Sequence, residues 1–76
     1  MDTLEKIREI VSQICDVPVE NVKETSMVGD FPAWDSIGHL SILSTVEEEL
    51  NVSFEPEEMM EMEDVKDIVK AVEEKQ

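Results

Sequence analysis

The apolar residues of this chain recur at intervals of three and four, and nowhere alternate with period two for long enough to demand a strand. Leu4, Ile7, Ile10, Val11 and Ile14 form one such stripe and predict a first helix. Asp2, with Glu5 three residues on, resembles a capping box in which Asp replaces Ser or Thr. The helix is expected to stop near Cys15 to Asp16, because Pro18 disfavours helical geometry at Val17. A second helix is predicted over Ser36 to Leu50, with Ile37, Leu40, Leu43, Val46 and Leu50 as its stripe. Asp35 is its N-cap, since a carboxylate there accepts from free N–H groups of the first turn. Ser36 is then the first helical residue, and Trp34 and His39 occupy the two positions of a hydrophobic staple. Gly38 in that first turn costs about 1 kcal/mol relative to Ala, so a requirement other than helix propensity puts it there. A short third helix is expected at about Pro56 to Met62, where Pro followed by Glu57 and Glu58 suits a helix start. The fourth runs from about Val65 to Glu74, capped by Asp64, with Val65, Ile68, Val69 and Val72 on one face.

From Asp16 to Asp35 the period is lost. Pro18, Asn21, Gly29, Asp30 and Pro32 alternate with Val19, Val22, Met27, Val28 and Phe31, which suggests a long loop packed onto the helices, with one short helical turn at Val19 to Lys23. The expected fold is all-α: a four-helix bundle of three longer helices, a short third one and a long first loop. The 76 residues are expected to make one domain, 1–76, with no internal repeat and no low-complexity tail. A chain this short buries only about 60% of its unfolded surface. A deep catalytic cleft is hard to build at that size, which favours a binding module, carrier or adaptor over an enzyme.

The charge is lopsided and unevenly placed. Twenty acidic residues face six basic ones, for a formal charge of −14. Between Glu24 and Val65 there is no Lys or Arg, and 12 acidic residues there carry −12 of that total. Nucleic acid and anionic membranes need a basic face and are disfavoured as partners. A partner presenting Lys or Arg is favoured, its encounter steered by the negative field and weakened by salt. A merely solubilising charge is the plainer explanation. The single cysteine, Cys15, excludes an internal disulfide and a Cys-rich zinc site. A reducing, cytoplasmic setting is expected, with no signal peptide and no apolar run long enough to span a bilayer.

Trp34-Asp35-Ser36-Ile37 is where chemistry is expected. The dipole and free N–H groups at a helix N-terminus favour an anion, and phosphate is the usual guest. A phosphodiester on the Ser36 hydroxyl would sit there, although Asp35 adds negative charge. On the residues alone, the favoured reading of Ser36 is a serine that simply tolerates the first helical position. His39 is expected on the surface or in the staple, since no second acid or base completes a catalytic triad. Glu47, Glu48 and Glu49 at the end of the same helix oppose its dipole, so local stability does not account for them.

Along nearly its whole length the sequence resembles the acyl carrier protein family. Asp35-Ser36-Ile37 matches the family's Asp-Ser-Leu attachment motif with Ile for Leu. Glu47-Glu48-Glu49 and Leu50, then Val52 and Phe54, an acidic short helix and the Asp64-Val65 start of the last helix all follow in order. The resemblance implies a carrier with no catalysis of its own. A phosphopantetheinyl transferase would move 4′-phosphopantetheine from coenzyme A onto Ser36, flanked by Asp35 and Ile37. The thiol of that arm would hold an acyl or aminoacyl group as a thioester for acyl-transferring, condensing or ligase enzymes with basic docking patches. Glu47, Glu48, Glu49, Trp34 and Leu40 are the implied partner contacts. Met59, Met60 and Met62 are the implied contacts of an acyl chain between the second and third helices, with ordinary core or surface methionines as the alternative. No metal is implied, and a monomer is expected.

The chain also departs from the pattern of fatty-acid-synthesis carriers. That class has acidic residues at the positions of Gly38 and Ser41, and Trp34 is unusual for it. Trp34 to Leu40 looks more like carriers of specialised pathways, such as polyketide, aminoacyl or modified-lipid assembly. A competing function is an acidic interaction module, an adaptor or inhibitor, that never carries a prosthetic group. A calcium sensor is disfavoured, because no segment has the spaced ligands of an EF-hand loop, although weak divalent binding to the acidic face is compatible with the charge.

Overall fold

In a computed structural model that describes residues 2–76, the chain folds as four helices with no strand among the described residues. Helix α1 spans Thr3–Cys15, α2 Ser36–Leu50, α3 Pro56–Glu61 and α4 Val65–Lys75, with a 3₁₀ turn at Val19–Asn21. The core is shared by α1, α2 and α4, whose Ile7, Ile10, Val11, Ile42, Leu43, Val46, Val65, Ile68 and Val72 are buried. Helix α1 packs against both α2 and α4. None of the helices is long and apolar enough to cross a membrane.

Local chemistry sets most of the helix ends. Asp2, Asp35 and Asp64 each accept an N–H three residues on, at 2.8 Å. The C-terminal ends of α1 and α2 are turned by Asp16 and Asn51, both left-handed at φ 56 and 57. Asn is a frequent substitute for Gly at that position and Asp tolerates it. The first stop is thus made by Asp16 itself, with the Ser12 hydroxyl donating to the Val17 carbonyl at 2.6 Å, rather than by Pro18 alone. Helix α3 ends at Glu61, one residue short of the expected Met62, and α4 reaches Lys75.

The long loop is held from both sides. The Arg8 guanidinium donates to the Val22 and Val19 carbonyls at 2.6 and 2.9 Å, tying the 3₁₀ turn to α1. Further on, Val28 N–H donates to the Glu63 carbonyl and Val65 N–H to the Ser26 carbonyl, a single antiparallel bridge of Met27 with Asp64. Val22 and Trp34 are buried from the loop side and Val28 and Phe31 pack against the core, whereas Met27 is 40% exposed. The loop thereby fixes where the chain enters α2.

Candidate functional site

The first turn of α2 is built around Asp35. Its carboxylate accepts from Gly38 N–H and its carbonyl from His39 N–H, both at 2.8 Å. The N–H groups of Ser36 and Ile37 then have no partner among the described residues. Ser36 is exposed, at the positive end of a 15-residue helix. Its hydroxyl and those open donors suit a phosphate ester. Gly38 is required sterically: a Cβ there would lie 1.9 Å from the Ala33 carbonyl oxygen. The close approach of the loop backbone, and not helix propensity, explains this glycine.

Trp34 and His39 do meet across the cap, but through polar atoms as well as rings. The indole N–H donates to His39 Nδ1 at 2.9 Å, and the rings stack at 6.1 Å. An indole nitrogen only donates, so the imidazole proton sits on Nε2, which donates to the Met62 carbonyl at 2.7 Å. One neutral imidazole therefore joins the loop, α2 and the C-cap of α3. Trp34 is fully buried, which corrects its expected place among the partner contacts: a side chain with no accessible surface cannot touch a partner. His39 is likewise buried rather than on the surface.

Burying His39 rotates the stripe of α2. Its core face is His39, Ile42, Leu43 and Val46. Ile37 and Leu40, expected to point inward, are 77% and 55% exposed. They place bare apolar surface within one turn of Ser36. Leu40 is thus available to a partner, and Ile37 joins it. A groove of about 540 Å³ opens beside them, lined by Ser36, Leu40, Met27, Met59, Met60 and Met62 among others. The three methionines thus share one groove with Ser36, although they differ in depth: Met62 is buried and Met60 is 83% exposed. A smaller groove of about 240 Å³ between α3 and α4, lined mostly by charged side chains, does not include Ser36.

The three glutamates at the other end of α2 separate. Glu47 accepts from Phe54 N–H at 2.8 Å, and Glu49 pairs with Lys6 at 2.7 Å. That pairing raises the Lys6 ammonium above its ordinary value. Two of the three carboxylates thus make internal contacts, Glu47 with the turn after its helix and Glu49 with another helix. Glu48 is exposed and makes no ion pair among the described residues.

Cys15 is buried, and burial, helped by the Asp35 charge, pushes its thiol up from the ordinary value. A buried neutral thiol is a poor nucleophile. The spacing of Trp34 and His39 about the N-cap signals a staple and not a hydrogen bond, so the buried polar role of His39 is missed from sequence, whereas Ile37 is found through the attachment motif. A family model described as phosphopantetheine attachment site matches residues 5–72. No curated protein matches the chain.

Proposed function

The chain belongs to the phosphopantetheine attachment-site family, and on that premise we propose that Ser36 is the residue that bears the arm. The protein is a carrier of covalent 4′-phosphopantetheine and not itself an enzyme. When bound, the arm supplies the thiol on which an acyl group is held. The observation that supports Ser36 most is its position: exposed, first in α2, beside open backbone donors and on the rim of an apolar groove. Asp35 and Ile37 frame it. Asp35 caps the helix that presents the hydroxyl, and Ile37 offers apolar surface to the transferase.

Partner enzymes that transfer, condense or ligate acyl groups approach over Ile37 and Leu40, and the 12 acidic residues of the middle span attract their basic patches. Among the three glutamates, the Glu48 side chain makes no ion pair or hydrogen bond among the described residues and is the readiest to pair with a partner; Glu47 and Glu49 must first give up internal contacts. Met59, Met60 and Met62 line the path of an acyl chain. The cargo belongs to fatty-acid, polyketide or modified-lipid synthesis, with Trp34, Gly38 and Ser41 favouring a specialised member. The 76 residues act as one cytoplasmic, monomeric carrier domain.

Co-expression with a phosphopantetheinyl transferase, followed by intact mass, tests the assignment. A mass gain of one arm is expected in the wild type and none in Ser36→Ala. A gain that survives the substitution would place the arm elsewhere.

A further inference from the structure

The buried bonds among Trp34, His39 and Met62 are not needed to attach an arm at Ser36. They do lie directly behind the groove that Ser36 opens on. His39 and Met62 line that groove, whereas Trp34 does not reach it and is fully buried behind His39. Both ring nitrogens of His39 are engaged, at 2.9 and 2.7 Å, and no buried side-chain polar atom among the described residues lacks a partner. A chain that passed from the groove into the core between His39 and Met62 would have to break the bond that joins them. That leaves an N–H and a carbonyl buried and unpaired, against the small gain from each extra methylene.

We propose that the Trp34–His39–Met62 bridge is the floor of the cargo groove, and that His39 and Trp34 thereby limit how deep a cargo chain can go. The proposal rests on the arm being attached at Ser36. A cargo chain lies along Leu40 and Met59 and ends at His39, short of Val46 and Ile68 in the core. Both residues act by position and touch no reacting atom.

The full chain is loaded with an octanoyl arm whose terminal methyl is ¹³C-labelled, and intact mass confirms the load and its loss in Ser36→Ala. Failure at this step counts against attachment at Ser36 and not against the floor. In the loaded wild type, nuclear Overhauser contacts from the labelled methyl are expected to Leu40 and Met59 and not to Val46 or Ile68. His39→Ala is expected to bring contacts to Val46 or Ile68. His39→Gln, which keeps one acceptor and one donor, is expected to restore the wild-type pattern. A methyl that reaches the core in the wild type, or that touches neither groove nor core, overturns the proposal. So does a folded His39→Ala with an unchanged pattern. If His39→Ala does not fold, the wild-type contacts alone decide.

Discussion

The two ends of α2 handle polarity in opposite ways. At its N-terminal end the helix exposes Ile37 and Leu40 and buries His39, its one imidazole, between two hydrogen bonds. At its C-terminal end it exposes carboxylates and ties two of the three to the rest of the fold. The first end leaves apolar surface bare beside Ser36, the proposed attachment site, and backs it with two buried hydrogen bonds. The second end spends charge on closing the molecule: Glu47 orders the turn into Phe54, and Glu49 holds α1 through Lys6. An exposed apolar pair with buried polar support marks the end where attachment is proposed, whereas two of the three carboxylates at the other end make internal contacts.

That contrast can be broken by substitution, most severely at the N-terminal end. Trp34→Ala removes a fully buried indole and leaves His39 short of a donor; a loss of about 3–5 kcal/mol in urea denaturation is expected. A loss below about 1 kcal/mol would mean the indole does not anchor the site. Gly38→Ala pushes a methyl into the Ala33 carbonyl and should cost about 1–3 kcal/mol, since backbone must move. A stabilised variant, as helix propensity alone predicts, would refute the close approach. At the other end, Glu47→Gln should cost roughly 1 kcal/mol and Glu48→Gln nothing measurable in the same assay. Equal effects of the two would erase the division between them. The smallest effect concerns α3, where the Glu55 backbone N–H and then Lys75 hold the Glu58 carboxyl below its ordinary value of 4.5. A carboxyl lowered by folding adds stability that is present above that value and lost as pH falls through the folded one. Glu58→Gln should therefore flatten the acid side of the stability curve slightly, measured as denaturation midpoints below pH 4.5.

Helix starts were accessible from local sequence because their causes are local. Asp2, Asp35 and Asp64 act three residues away, and Pro56 acts in its own turn. The span of α2 and the position of Ser36 at its head followed from that. The facing of α2 did not. Ile37, Leu40, Leu43 and Val46 make as good a stripe as His39, Ile42, Leu43 and Val46, and hydropathy favours the first. The choice is made by the Met62 carbonyl, 23 residues along the chain, which gives His39 a reason to be buried. Glu49 was opaque for the same reason, since its cation is Lys6 on another helix. The staple reading did pair Trp34 with His39, but the partner contact that the family resemblance implied for Trp34 fails because the loop buries it fully.

The acidic middle of the chain bears on folding as well as on encounter. With a radius of gyration of 11.0 Å, the carboxylates of this small body lie within a few screening lengths of one another, about 8 Å each at physiological ionic strength. A net charge of −14 confined to that volume opposes compaction. Added salt therefore relieves self-repulsion and raises the melting temperature, while the same ions would screen the proposed attraction of basic enzymes. On that proposal folding and docking respond to ionic strength with opposite sign, so conditions that make the free protein most robust are those in which it meets its partners most slowly.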